Sequence, residues 1–544
     1  MGIPSYYRTL IQRIPHAISK KAPSGVNTLV VDMNCMIYHV LKEPKMLATP
    51  YPGELGRLAW ERKLQTEVCS YLTHIWKSAG SPSNTYIALD GVVPYAKIKQ
   101  QRFRRFKGGA ELARSDEGQE SSSGASGASG ASGVWGGDSG AWGGSPIWDK
   151  NAITPGTQFM AAMATALREA GKAHGWIISD TDEPGEGEHK VLQWLLKRSL
   201  APGPVIVYGL DADLILLCLI AGDTLGPNYP IYLLREAMAF GKLVRNDSAN
   251  GQVDLCFFEI SILKDSLQGT DKTVWTREQF YDYIFGMSFC GNDFLPTGLS
   301  LRIRDEGHSI LLSGLQDLWQ KGLHLITIDP EGHVRPHTPG LKAFAYWISR
   351  QEERLIVAMI RRKMTARLGE DEAENLPLRE QAERHLIDEV GQGQIVLRAD
   401  WQSTYARLAL GEDSEEQRRA RVQDFWKGWC WILDYYQGHP VDLEWVYPAG
   451  YPPTWKDLVE YFELPSEQWE TREPLKPQEQ LALVLPMSSW GLMLKTPFRD
   501  LPSKIPQMWP QGFHLETFGK RFGWECEPMI PMLTPGRLRY EALK

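Results

Sequence analysis

A mixed α/β fold, a parallel twisted sheet flanked by helices, is predicted by three observations. Residues 27–32 (NTLVVD), 85–90 (TYIALD), 176–180 (WIISD) and 204–211 (PVIVYGLD) are short apolar runs of strand length. Stretches with helical periodicity, residues 57–78 and 158–172, lie between them. All four runs close on an aspartate. Continuous apolar strands need cover on both faces, and alternation with helices indicates parallel βαβ units. In such a sheet, sites form beyond the carboxyl ends of the strands. A single aspartate there is equally a turn former or helix cap. Four in one sheet point instead to convergence at one edge.

Composition narrows the class. At about 150 residues per domain, 544 residues suggest three or four units. The chain is 43% hydrophobic, ample for a large core, and its 20 tryptophans must be core or stacking surfaces. No apolar run approaches the roughly 18 residues a membrane span needs, and MGIPSYYRTLIQRIP lacks a signal peptide's apolar segment. Cys35, Cys69, Cys218, Cys256, Cys290, Cys430 and Cys526 are scattered and never spaced C-x-x-C. That pattern predicts reduced thiols in an intracellular protein, not a disulfide frame or zinc site. The net charge of −7 argues mildly against a nucleic-acid binder, yet the charge is sorted. Residues 97–107 hold six basic side chains and no acidic one. No other strong basic cluster offers a nuclear signal, so a cytoplasmic location is expected over a nuclear one.

Residues 1–345 read as the α/β region. Residues 108–148 interrupt it with GASGASGASG and two Trp-Gly-Gly units, and are expected to form a flexible surface insertion. Residues 346–398 read as a charged helical connector, helical across 364–389. Residues 399–544 are aromatic-rich, with Trp429, Cys430 and Trp431 in a row, and read as a second, α-rich irregular region packed on the first.

Carboxylates carry the chemistry. Glu186 and Glu188 lie in E-P-G-E-G-E-H-K before a helix, where the glycines allow both to face one ion. They would also complement a helix dipole. Asp211 and Asp213 form D-A-D after a strand, and residues i and i+2 of an extended chain face one way. Asp293 sits in the loop F-C-G-N-D-F-L-P, after a helical stretch over 277–287. Asp32 and Asp90 close strands. Magnesium prefers oxygen ligands, and two ions about 4 Å apart suit phosphodiester cleavage. Gathering so many carboxylates without a cation would be repulsive. No His/Cys set fits zinc, and no GxxxxGK[ST] loop supports an NTPase.

The run K-I-K-Q-Q-R-F-R-R-F-K follows Asp90. Lys97, Gln101, Arg104 and Arg105 share one helix face at i, i+4, i+7 and i+8. Such donors beside a metal site suit a terminal phosphate, whereas a plain charge run would be a solvated face.

At this point the chain resembles the Xrn family of 5′→3′ exoribonucleases, whose core is related to flap endonucleases and PIN-type domains. MGIPSYYRTL, LVVDMN, LDGVVPYAKIKQQRFRRF, ITPGTQFM, SDTDEPGEGEHK, YGLDADLILL, GNDFLP and IRDEG carry the likeness in order. FWKGWCWILDYYQG, WVYPAGYPP and LALVLP continue it through the second region. The resemblance implies a catalytic, metal-binding set of Asp32, Asp90, Glu186, Glu188, Asp211, Asp213 and Asp293. It implies two Mg²⁺ ions, with Mn²⁺ an alternative. It also implies a 5′-monophosphate pocket of Lys97, Gln101, Arg104 and Arg105, and processive digestion of single-stranded RNA to nucleoside monophosphates. The family stacks the first base between a histidine and a tryptophan. Here Cys35 stands for a glycine and Tyr38 for that histidine, with His39 beside it and Trp445 as the opposite plate. The insertion falls where the family has a long helix. A flap-type DNA nuclease and an inert RNA-binding scaffold are the alternatives.

Overall fold

The strand-forming runs assemble into one seven-stranded sheet in the computed structural model. It describes residues 6–118, 134–135, 147–239, 242–245, 253–267, 274–391, 393–411, 413–465, 469–493 and 496–544. The strands are β1 (Ile18–Ser19), β2 (Thr28–Asp32), β3 (Asn84–Ala88), β4 (Ile177–Ser179), β5 (Val205–Tyr208), β6 (Ile231–Glu236) and β7 (Leu255–Glu259). Their order is β1-β7-β6-β5-β2-β3-β4. Five strands, β6, β5, β2, β3 and β4, are parallel, and β7 and β1 add an antiparallel edge beside β6. From β2 the chain builds outward through β3 to β4, then returns to build β5 and β6 on the other side. The switch point therefore lies between β2 and β5, where open sheets place ligands.

The helices that concern the site are α1 (Asn34–Val40), α2 (Arg57–Ser78), α3 (Tyr95–Gly118), α4 (Gln158–Gly171), α5 (Gly187–Lys197), α6 (Leu214–Leu225), α7 (Arg277–Gly286) and α8 (Glu415–Gln437). Their starts are chemically marked. The hydroxyl of Thr157 accepts from Met160 N at 3.3 Å, and Thr276 with Gln279 forms a reciprocal capping box.

Strand alternation splits the core into two layers. Leu29, Val31, Ile206 and Tyr208 pack against Leu64, Val68 and Leu72 of α2 and Phe159 and Met163 of α4. Val30, Val205 and Val207 face the opposite way, onto α5, α6 and α8. Each such fully buried side chain contributes about 1.5–3 kcal/mol. The second region shares that layer. Trp429 of α8 stacks on Phe289 at 5.8 Å and 10°, and its indole N–H donates to Phe285 O at 3.3 Å. The two regions thus have one continuous core. Among the described residues, no helix is long and apolar enough to cross a membrane, and no cysteine is in a disulfide.

Two expectations need correction. The insertion was expected over 108–148, but α3 continues to Gly118, and residues 134–135 pair with Phe513 and His514. Trp148 is buried against Trp60 and Phe159, and its indole N–H donates to Glu61 at 3.1 Å. The GASGASGASG repeat lies outside the described residues. The connector is helical only in its first part, through Thr338–Ser349 and Glu352–Met364. Over 364–389, expected to be helical, the chain instead forms short turns and the first strand of a hairpin, Ile387–Val390 with Gln394–Leu397. Pro377 lies in the first turn of a short helix, Leu376–Glu380, and Gln381 turns left-handed at φ +44° to end it.

Candidate active site

The seven acids come from separate elements and meet beyond the sheet's carboxyl edge. Asp32 ends β2. Asp90 lies two residues past β3, and Asn34 at the start of α1 holds it: Asn34 Nδ2 donates to Asp90 Oδ2 at 2.8 Å. Gly187 N donates to Asp90 Oδ1 at 2.7 Å, which ties Asp90 to the start of α5. A Cβ on Gly187 would lie 2.3 Å from Asp32 Oδ1, so only glycine lets α5 approach β2 this closely. Glu186 caps α5 and Glu188 lies in its first turn. Asp211 and Asp213 follow β5, but not as an extended pair. Asp213 is already helical (φ −70°, ψ −25°) at the start of α6, and the turn, not a pleat, brings the two together. Asp293 follows Gly291, whose φ of +88° reverses the chain after α7.

Burial and mutual repulsion define the electrostatics. Burial, then Asp90 and Asp211, push the Asp32 carboxyl well above its ordinary range. Burial and Asp213 do the same to Glu188. Glu186 is pushed up to about 7 by burial, with Lys97 opposing. Asp213 rises to about 6 through burial and Asp293. Asp293 and Asp211 go down instead: burial raises both, but nearby positive charge, Lys97 included, acts the other way and prevails in sum. Carboxyls held in this way want a cation.

The residues fit a hard divalent ion. Glu188, Asp211 and Asp213 offer ligand atoms within 4.8 Å of one another, and Glu186, Glu188 and His189 offer a second such group. Glu188 belongs to both. Glu186 Oε1, Glu188 Oε2 and Asp213 Oδ1 are buried with no hydrogen-bond partner among the described residues. An oxygen-rich set with orphaned acceptors suits magnesium or manganese better than softer metals.

The basic face of α3 divides. Lys97 enters the acid cluster, 2.6 Å from Glu186 and in contact with Asp293. Lys99 donates to Tyr447 O and Ala449 O at 3.0 and 3.1 Å. Arg102 is fully buried and donates to Leu483 O at 2.7 Å, Pro531 O at 3.2 Å and Met508 O. Lys107 donates to Gly523 O and Cys526 O. These three dock the helix on the second region. Arg105 is buried, with no carboxylate in ion-pair distance among the described residues. Its Nη1 donates to Gln101 Oε1 at 3.3 Å, and Gln480 Nε2 reaches the same oxygen at 3.3 Å. Burial pulls the Arg105 guanidinium down to about 10. A buried, uncompensated guanidinium is costly unless an anion joins it. Arg104 is exposed.

Comparison with known proteins supplies the lineage. Residues 1–237 match the XRN 5′-3′ exonuclease N-terminus, and residues 349–544 match the Xrn1 helical domain. The chain belongs to the Xrn family. It is 25% identical to 5′-3′ exoribonuclease 2 of Arabidopsis thaliana, over 99% of this chain and 66% of that protein. It is 24% identical to the Gallus gallus enzyme of the same name, over 99% and 69%. It is 22% identical to 5′-3′ exoribonuclease 1 of Saccharomyces cerevisiae, over 99% and 43%. The chain thus spans about two thirds of the first two relatives and less than half of the third. The sheet and its helical C-terminal region are the PIN-like N-terminal fold and helical region of this family.

The stacking residues divide too. Tyr38 is exposed on α1 and close enough to act on the charge of Arg105, so it borders that buried guanidinium. His39, one residue on, turns inward. It packs on Tyr71 at 4.6 Å with Nε2 3.1 Å from Glu43, and it is corrected to a core residue. Trp445 is corrected likewise. It is buried and stacked on Trp431 at 5.4 Å and 27°, within the core of the second region. Both assignments followed sequence neighbourhood, and packing decided otherwise.

Three residues escape the sequence reading. Asn34 orients Asp90. Gln100 Nε2 donates to Asp293 Oδ1 at 2.6 Å. His189 lies 3.9 Å from the Tyr435 ring and is held neutral, its pKa lowered to about 3 by burial and then Lys97. Its place one residue after Glu188, three after Glu186, was the available signal.

Proposed function

We propose that this Xrn-family exoribonuclease removes nucleoside monophosphates processively from the 5′-monophosphate end of single-stranded RNA, using two magnesium ions. The observation that carries the reading is Glu188 shared between two ligand groups, together with a buried Arg105 that has no carboxylate partner among the described residues. Glu186, Glu188, Asp211 and Asp213 would hold the ions, with Asp32, Asp90 and Asp293 completing the charge around them. When bound, magnesium supplies Lewis-acid activation of water and stabilisation of the leaving oxygen. Arg105 and Gln101 would seat the terminal phosphate, with Lys97 and Arg104 at its edges. Phosphate recognition by a buried fork fixes which end of the RNA enters. Tyr38 would stack on the first base. The carboxylates are largely buried, and a single strand would reach them more easily than a duplex.

A labelled-RNA time course with Mg²⁺ tests the reading. RNA carrying a 5′ monophosphate is expected to shorten from its 5′ end far faster than 5′-hydroxyl RNA. Asp211→Ala is expected to abolish turnover and leave RNA binding largely intact. Equal rates on the two RNAs would defeat the pocket assignment. Faster cleavage of flap DNA than of linear RNA would favour a flap-type nuclease. Equal, negligible activity in the parent and variant would favour an inert scaffold.

A further inference from the structure

The far flank of α3 borders a cavity of about 650 Å³ that meets the exonuclease site only at Arg104 and Asp293. Lys97, Gln101 and Arg105 serve the acid cluster and the phosphate pocket. Lys99, Gln100, Phe103 and Lys107 line this chamber, together with the Asp293 loop and segments of the second region, and Arg104, at the edge of the phosphate pocket, borders it too. Asp293 is the partition: Lys97 contacts it, and Gln100 donates to it at 2.6 Å.

Charge in the chamber runs against that of the chain. Six basic residues line it, Lys99, Arg104, Lys107, Arg302, Arg304 and Lys520, against the acids Asp293, Glu525 and Glu527, in a protein of net charge −7. Two of the acids are already paired. Asp293 contacts Lys97, and Glu525 lies 2.5 Å from Arg304 and 3.9 Å from Arg302. Lys99 and Lys107 donate to backbone carbonyls, which satisfy their protons and leave their charge. The chamber therefore keeps an excess of positive charge in which an anion is stabilised.

Its remaining surface is largely aromatic and aliphatic. Phe103, Tyr451 and Trp524 lie along the wall, and Trp524 is 47% exposed. Lys520 Nζ stands 5.6 Å over the Tyr451 ring. Flat rings beside cations recognise a base and a phosphate together. The volume falls within the range of about 300–1,000 Å³ typical of small-molecule sites.

We propose that this chamber binds a nucleoside 5′-monophosphate, separately from the 5′-phosphate pocket. The inference rests on the exonuclease reading, which releases that class of molecule on the other side of Asp293. Product and free nucleotide share the same chemistry.

Calorimetry on the intact chain in EDTA tests it, with AMP as the probe. The chain is first saturated with a 5′-phosphorylated RNA oligonucleotide, which stays uncut without metal. RNA-loaded protein is expected to bind one AMP. Lys520→Glu should weaken that binding about tenfold and Trp524→Ala several-fold, with RNA affinity and melting temperature unchanged. Adenosine and inorganic phosphate alone should each bind more weakly than AMP. Displacement of all AMP by RNA would overturn the proposal, as would AMP binding indifferent to both substitutions. Failure of the RNA to bind would count against the exonuclease reading instead. The Lys520→Glu comparison on RNA-free protein would then still decide the chamber. With Mg²⁺ present, AMP that slows the parent enzyme but not Lys520→Glu marks the ligand as product. Binding without slowing marks it as free nucleotide.

Discussion

The acid cluster and the basic helix, side by side at one end of the sheet, were built in opposite ways. The acids lie far apart in sequence, from Asp32 to Asp293, and the fold brings them together. The basic residues are contiguous, and the fold takes them apart. Of the six from Lys97 to Lys107, one enters the acids, three dock backbone carbonyls, and only Arg104 and Arg105 remain without such partners among the described residues. Strand ends in a parallel sheet share an edge, so acids placed there can converge whatever their separation, although Asp180, expected to join them, pairs with Arg168 instead. A helix spreads its residues around a full turn, so a charge run faces several environments at once.

The largest expected effect breaks the acid side. Glu188 serves both ligand groups, so Glu188→Ala should lower turnover by well over the 10–100-fold typical of outer-shell changes. Single-turnover rates at saturating Mg²⁺ measure it. A loss below about tenfold would mean the two groups are not one site.

On the basic side, Arg105→Gln should cut the preference for 5′-monophosphate over 5′-hydroxyl RNA by about 10–100-fold. That corresponds to the roughly 1.5–3 kcal/mol of a hydrogen bond to a charged group. Competition kinetics with the two RNAs reads the ratio. Lys99→Met, two turns away in sequence terms but a docking residue, should leave the ratio unchanged.

Protonation sharpens the comparison further. Glu186, near 7, and Asp213, near 6, titrate above ordinary carboxyls, and burial holds Asp32 and Glu188 well above their ordinary range too. Between about pH 4.5 and 7 the folded chain therefore holds more protons than the unfolded one. Their contribution to stability is present below the ordinary carboxyl range and is lost as pH rises through these raised values. A bound cation must displace those protons, so its benefit runs the other way. The rise in melting temperature caused by Mg²⁺ should grow from pH 5.5 to pH 8, and a rise independent of pH would contradict the assignment.

The smallest effect concerns docking. Lys99→Met removes bonds to Tyr447 O and Ala449 O, and should cost about 1 kcal/mol of stability, measured by chemical denaturation, with near-normal activity.

What could be read from sequence follows the same division. The α/β class, the helices at Arg57–Ser78 and Gln158–Gly171, and the strand-end acids Asp32, Asp90 and Asp211 were legible, because hydrophobic periodicity and strand-end position are local signals, whereas Asp293, in a loop, read alone as an ordinary turn and joined the set only through the family resemblance. The pairing of Asp211 with Asp213 was legible, but its cause was not. The chain had turned into α6 before Asp213, and a D-x-D reads alike in a strand or a helix start. His39 and Trp445 were misplaced because neither sequence neighbourhood nor aromatic character reveals which way a ring faces. One turned onto Tyr71, the other onto Trp431. Asn34 and Gln100 were missed because an amide acquires its role only from the carboxylate that folding brings to it.

A manganese titration of the intact chain by calorimetry, paired with Glu188→Ala, tests the central claim most directly. Two ions per chain are expected for the parent protein, and loss of tight binding at both positions in the variant. A parent chain that binds no manganese, or a Glu188→Ala variant that still binds two ions with unchanged affinity, would contradict it.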